Sequence, residues 1–387
     1  MNETVTLDKI VTFEKTYSFS RATEGEGEVR HIHYGDIHTK LPSVVEDAKI
    51  LPTITEKKDF HYLKAGDILV ADASEDYKDL GKAICYVDDN SNVIAGLHTH
   101  CLRSNQDIVN PEYLINIFQT NRYRKYVWRM GTGVSVLGLS KNNLGKYEVT
   151  LPDLDKQKKV ASFYKKLNKK IHLQQQKIDL LQEQKKGYMQ KIFKQEIRFK
   201  DENGKDYPDW ILKKVSEIFD FYNGKAHENN IVENGKYIVV NSKFISTEGK
   251  VKKYSNELIF PLRKEDIVMV MSDVPNGKAI AKCYLVEDND KYTLNQRICC
   301  LRTNMNPKFF YNQINRNSFY LKFDDGVSQT NLRKEDILNC PLKVPCIDEQ
   351  EKIANFFESI DKEIQLQQQK IDLLQEQKKG FMQQMFI

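Results

Sequence analysis

The stretch Leu173–Gly187, LQQQKIDLLQEQKKG, returns without a single change at Leu366–Gly380, 193 residues further on. An identity at so fixed a period outranks any local motif, because it makes the chain two copies of one plan. The copies extend outward as heptads. Val160, Leu167, Gln174, Leu181 and Tyr188 alternate with Tyr164, Ile171, Ile178, Lys185 and Ile192 in an unbroken 4,3 spacing. The second copy gives Ile353, Ile360, Gln367, Leu374 and Phe381 with Phe357, Ile364, Ile371, Lys378 and Met385. Heptads sustained over this length without proline predict two coiled-coil helices. The seam is expected to run through Leu167, Ile171, Gln174, Ile178 and Leu181 in one helix and Ile360, Ile364, Gln367, Ile371 and Leu374 in the other. Its polar Gln and Lys positions would trade stability for register.

Charge selects the pairing. Residues 155–193 carry 11 Lys and 3 acidic residues, whereas 348–386 carry 5 Lys and 8 acidic residues. Like copies would repel and unlike copies attract, which favours an intramolecular antiparallel pair centred on Gln174 and Gln367 over a parallel pair between chains.

The remaining sequence is two globules. Residues 1–153 mix strand-like runs (Ile68–Val70, Ala83–Val87, Val93–Ile94, Tyr147–Leu151) with a helix-like segment, Pro111–Arg129, capped by Asn110. Residues 200–345, after a polar link at 199–209, repeat the plan with a diverged sequence. Gly66-Asp-Ile-Leu-Val answers to Glu265-Asp-Ile-Val-Met, Cys101-Leu-Arg-Ser-Asn to Cys300-Leu-Arg-Thr-Asn, and Gly133-Val-Ser to Gly326-Val-Ser. The expected domains are therefore 1–153, a helical spacer at 154–199, 200–345, and a second spacer at 346–387. The expected fold is mixed α/β (α+β) globules in two copies, separated by two long helices in an antiparallel coiled coil, with a pseudo-two-fold internal repeat.

Composition narrows the function classes. With 40% hydrophobic and 29% charged residues, 387 residues have room for real cores. No apolar run approaches the 18 residues of a membrane span, and the first residues lack the pattern of a signal peptide. The 7 cysteines show no CxxC spacing and read as free thiols of a reducing cytoplasm. The net charge of +5 hints only mildly at a polyanionic partner.

Chemistry-bearing motifs are few. His31, His33, His38, His98 and His100 could face a metal from strands, yet the second half has no matching histidines, since His98 and His100 fall on Arg297 and Cys299. The glycine loops match neither the P-loop nor the dinucleotide spacing, and no methyltransferase, HExxH or GxSxG motif occurs, so no catalytic residues are assigned. Basic and aromatic residues do interleave. In the first half, Arg122, Arg124, Lys125, Arg129, Ser135 and Lys141 are candidates for DNA contact. In the second, the candidates are Lys243, Asn276, Lys278, Lys322, Gln329, Thr330, Asn331, Arg333 and Lys334. Such side chains donate to phosphates or read base edges, although any one of them could equally be a solvated surface charge. Thirty-nine helical residues span roughly 58 Å, comparable to about 17 base pairs, a spacer suited to two half-sites.

The chain resembles the specificity (S) subunits of bacterial and archaeal type I restriction-modification enzymes. The resemblance is carried by Tyr207-Pro-Asp-Trp210 with Lys213-Lys-Val-Ser-Glu-Ile218, by Gly326-Val-Ser-Gln-Thr-Asn-Leu-Arg-Lys-Glu-Asp-Ile337, by Val344-Pro345, and by Asp348-Glu-Gln-Glu-Lys-Ile-Ala354 entering the second helix. It covers essentially the whole chain. The first half departs from it, starting at Leu7-Asp-Lys-Ile10 with no preceding Pro and Trp and reading Gly133-Val-Ser-Val-Leu-Gly138 where the second half has Gln-Thr-Asn.

The resemblance implies two target recognition domains, each reading half of a bipartite asymmetric double-stranded DNA site. It also implies paired helices that set the gap and dock two methyltransferase subunits, to which restriction subunits add. The chain itself would be non-catalytic and hold no cofactor, with S-adenosylmethionine, ATP and Mg2+ on the partner subunits. The alternative is a structural, partner-bridging coiled-coil protein without DNA recognition.

Overall fold

The structure, a computed structural model, describes residues 3–88, 92–275 and 277–386. It contains two compact units, residues 1–176 with 368–387 and residues 177–367. The unit boundary therefore falls within the long helices, Leu154–Phe193 and Ile347–Met385, rather than at their ends. Each unit is one globule with half of each helix.

In the first unit, five strands form a sheet in the order Val11–Glu14, Thr99–Ser104, Asp67–Ala71, Ala83–Tyr86, Val44–Val45. In the second, Asp220–Asn223, Ile298–Arg302, Ile267–Val270 and Cys283–Leu285 repeat the first four places, all antiparallel. The central strands are apolar on both sides because both faces are covered. Ile68 and Val70 enter one core with Leu102, Tyr113 and Tyr123, while Leu69 and Ala71 enter a second core with Val45, Ile84 and Tyr86. The second unit splits its strands the same way, Ile267 and Met269 to one core and Val268 and Val270 to the other. A smaller sheet in each unit contains one parallel pairing, Arg30–Ile32 with Val93–Ala95 and Ile238–Val240 with Tyr292–Leu294.

The expected helix Pro111–Arg129 is two helices, Pro111–Ile117 and Asn121–Met130. Asn110 caps the first as expected, its side chain accepting from the Tyr113 amide. Thr120 breaks the run, with its hydroxyl donating to the Ile117 carbonyl and accepting from the Tyr123 amide. A residue that can cap both an end and a start favours the break over continuation.

Within each unit the long helices run antiparallel. In the first unit, Phe163 meets Phe381 and Tyr164 meets Phe386, with ring centroids 5.2 and 5.6 Å apart. In the second, Tyr188 meets Phe356 at 5.1 Å, and Lys177 and Lys185 pair with Glu363 and Asp361 at 3.0 and 2.7 Å. Those pairs join the basic helix to the acidic one, as the charge difference requires. The seam positions Leu167, Ile171, Leu181, Ile360 and Ile364 are half-buried, while Ile178, Ile371 and Leu374 are buried. Gln174 is half-buried. Gln367 is buried, its amide donating to Glu363 one turn earlier on the same helix.

The joint between globule and helix is built twice from one design. The buried Gln157 accepts from the Asn110 amide at 2.9 Å and donates to the Pro152 carbonyl at 2.8 Å. Gln350 does the same with Asn306 and Pro345, at 3.3 and 2.9 Å. Each uses one side-chain amide to satisfy a loop donor and a loop acceptor that burial would otherwise leave unpaired.

A candidate nucleic-acid interface

A constant frame holds the candidate residues. Asp67, buried, accepts from the Lys64 amide and takes a two-pronged bond from Arg103 at 2.9 and 2.6 Å. Asp266 repeats this with the Arg263 amide and with Arg302 at 2.7 and 2.6 Å. Fork-on-carboxylate geometry of this kind fixes two strands at once. The preceding residue is left-handed in both units, Gly66 at φ 95° and Glu265 at φ 71°.

Arg122, Lys125 and Arg129 line a recess of about 500 Å3 with Tyr126, Lys146 and Glu148, and all three of these cations are exposed. The Arg129 guanidinium lies 5.8 Å from the centre of the Tyr126 ring. Arg124, from the same block, is instead turned inward. Its guanidinium donates to the carbonyls of Leu80, Tyr77 and Lys78 at 2.7, 2.7 and 3.0 Å, and Trp128 adds a bond to Tyr77 at 2.8 Å. Arg124 thus ties down a loop, and a side chain three positions from Val127 in a helix interior cannot face solvent as its neighbours do.

Ser135 stands at the tip of an exposed loop closed by paired amides of Thr132 and Gly138 at 3.0 and 2.7 Å. Lys141 is exposed, 6.0 Å from the Phe13 ring. The equivalent loop in the second unit is set by Asp325, which accepts from the amides of Val327 and Ser328 at 2.9 Å each. These bonds, with the Ser328 hydroxyl, hold its carboxyl below the usual range. Both loops expose a valine at the tip, Val134 and Val327. Thr330 is the second candidate that turns inward: it is buried, its hydroxyl donating to Asp324 at 3.1 Å, because a strand alternates its faces.

Its neighbours Gln329 and Asn331 are exposed, and Gln329 donates to Ser272 at 2.7 Å. Lys243, Lys278, Lys322, Arg333 and Lys334 are exposed, with Lys334 5.6 Å from the Phe221 ring. Asn276 lies outside the described residues.

Sequence reasoning missed a recess of about 260 Å3 in the second unit, where Asn331 is joined by Asn223 and Arg297 from two other strand ends. Only the three-dimensional register brings these positions together. It also missed Phe386, which packs on Tyr113 and Tyr164 in the first unit, and its counterpart Phe193, which packs on Phe309 and Phe357 in the second. The 193-residue displacement relates that pair and was the available signal.

The histidines group around Tyr34, whose ring lies 4.6, 5.3 and 5.2 Å from His33, His38 and His98. Among the described residues no group of His, Cys, Asp and Glu could hold a metal ion. None of the described helices is long and apolar enough to cross a membrane.

A duplicated α/β globule carried on an antiparallel helix pair, with exposed donors that differ between the copies, defines a two-headed recognition protein. The sequence profile described as the type I restriction modification DNA specificity domain matches residues 2–183 and again 207–376. The chain belongs to that family. The type I restriction enzyme MjaVIII specificity subunit of Methanocaldococcus jannaschii is 25% identical over 276 residues, 65% of this chain and 64% of that protein. The aligned region thus spans just under two thirds of that relative. The S subunit of the type I restriction-modification system of M. genitalium superposes over 100% of this chain and 96% of its own, with a TM-score of 0.62 at 14% identity. A second solved chain, from work on complex assembly and conformational transition of the type I R-M system, gives 0.58 at 14% identity, covering 100% and 97%.

Proposed function

We propose that this chain is the non-catalytic DNA-reading and assembly subunit of a type I restriction-modification complex, acting in the cytoplasm. Each globule reads one half of a bipartite, asymmetric duplex site. The helix pair sets the gap and docks two methyltransferase subunits, to which restriction subunits add. S-adenosylmethionine, ATP and Mg2+ act on those partners and none is assigned to this chain.

The carrying observation is the division of labour between constant and variable parts. The clamps Asp67–Arg103 and Asp266–Arg302 and the joints at Gln157 and Gln350 are the same in both units. The exposed donors are not: Gln329 and Asn331 stand in the second unit where the first has Val136 and Gly138. Arg122, Lys125, Arg129, Lys243, Lys278, Lys322, Arg333 and Lys334 supply phosphate contacts that position the duplex without reading it.

The test is to replace residues 1–153 with the corresponding domain of another such subunit and sequence the methylated DNA of cells expressing the whole complex. One half of the motif should change and the other stay. A change in both halves, or in neither, refutes the proposal and leaves the bridging role of the helices.

A further inference from the structure

The turn that carries the chain from Tyr292–Leu294 in one sheet to Ile298–Arg302 in the other passes through Arg297 with φ 65°. The turn that carries the chain from Val93–Ala95 in one sheet to Thr99–Ser104 in the other passes through His98 with φ 53°. These are the same position of the frame, since the Arg297 carbonyl accepts from the Met271 amide at 2.9 Å and the His98 carbonyl from the Asp72 amide at 3.1 Å. Glycine would take a left-handed backbone at lower cost. Both copies nevertheless keep a large polar side chain there, and a strained position retained in both halves with different chemistry points to use of the side chain.

The two tips are not in the same state. His98 Nδ1 lies 3.3 Å from an Asp72 carboxylate oxygen. Arg297 is exposed, and among the described residues its guanidinium meets no carboxylate, carbonyl or ring. By contrast Arg302, Arg198 and Arg316 of the same unit are committed, to Asp266, Glu349 and the Lys278 carbonyl. Arg297 also stands at the rim of the recess lined by Asn223, Ser272 and Asn331. An unengaged fork of donors beside amides, at a fixed turn between two sheets, matches the O6 and N7 acceptors of guanine in the major groove.

We propose that Arg297 is a specificity-determining residue that reads a guanine in the half-site served by the second unit, and that the tip position, His98 in the first unit, is where the two heads diverge in what they read. This rests on the DNA-reading function proposed above.

Two variants of the full chain, each expressed with its partner subunits, test it by sequencing methylated DNA. Arg297→Gly relieves the left-handed backbone and should raise the melting temperature, so a loss of folding does not confound it. Its motif should become degenerate at one guanine, with discrimination there falling about five- to 150-fold, the worth of one bidentate pair. Arg297→Lys keeps the charge but not the fork, and should relax the same guanine while overall methylation persists. An unchanged motif in both variants overturns the assignment. So does uniform weakening at every site in Arg297→Gly that Arg297→Lys restores, because that is a phosphate contact. A wild-type complex that methylates no bipartite motif would be a different failure, one that removes the DNA-reading function and this assignment with it.

Discussion

Arg103 and Arg302 occupy the same place in the two units and differ in company. Arg103 reaches two carboxylates, Asp67 at 2.6 Å and Glu14 at 3.1 Å. Arg302 has Asp266 at 2.6 Å and the face of Tyr222, 5.1 Å from the ring centre. Glu14 and Tyr222 hold equivalent register positions, opposite Cys101 and Cys300. The buried aspartate has stayed while the residue at the strand's outer edge has changed. The clamp at the centre of each head is therefore one shared solution, and beside it the divergence falls on the side chain that can reach outward.

The largest effect should come from breaking that frame where it has no reserve. Asp266→Asn leaves Arg302 half-desolvated with only a ring for company, and should cost the second unit about 3 kcal/mol. Asp67→Asn leaves Glu14 on Arg103 and should cost the first unit clearly less. Hydrogen exchange read separately for the two units measures both. Equal losses would mean that Glu14 contributes nothing and that the comparison is misdrawn.

Acid should separate the units further. Burial lowers the affinity of His33, His38 and His100 for a proton from the ordinary 6.5, each against mixed surroundings. His33 faces Arg21, His31, Asp36 and Glu24; His38 faces Asp79, Lys82 and Asp76; His100 faces the Leu139 carbonyl, Asp72 and Lys141. In the unfolded chain all three would protonate near 6.5, whereas the native unit resists. The unfolded state thus binds more protons, and stability of the first unit falls as pH drops through 6.5. None of these three histidines lies in the second unit. Its Glu358, held at about 2 by Lys308 and Lys362, loses its contribution only as pH falls below the usual carboxylate range toward that value. Between pH 7 and 5, exchange protection should drop in the first unit by less than the Asp266→Asn effect and hold in the second. A parallel drop in both would show that these histidines do not set the difference.

Much of this plan was legible from residues alone. The repeat gave the helices, their charge gave the pairing of one copy with the other, and Asp-Ile-(Leu/Val) followed by Leu-Arg marked the paired central strands. What was not legible depends on facing. Arg124 and Thr330 sit in runs of exposed donors, and only the phase of their helix and strand turns them inward. Arg297 carries no local motif; its state follows from a backbone angle and from what the fold leaves beside it. The break at Thr120 was hidden because its capping partners lie within a pattern that is helical on either side.

The smallest effect is also the finest test of the pseudo-symmetry. Lys185 and Lys378 are the same residue of the repeat at the same seam position. Lys185 is neutralised by Asp361 at 2.7 Å. Among the described residues Lys378 meets only the neutral amide of Gln119 at 3.1 Å, and burial pulls its affinity for a proton down. The residue displaced by 193 from Asp361 is Asn168, which lines with Lys378 a recess of about 510 Å3. One half of the seam has kept its counter-charge and the other has lost it. Asn168→Asp should restore the missing carboxylate, raise the Lys378 pKa toward 10.5 by NMR titration, and stabilise the first unit by roughly 0.5–1 kcal/mol. Lys378→Met should also stabilise it, by removing the ammonium that burial disfavours. The two changes made together should give less than their sum, because each answers the same uncompensated charge. Full additivity would mean that Asn168 and Lys378 do not share an environment as Asp361 and Lys185 do, and that the two-fold relation between the halves stops at the backbone.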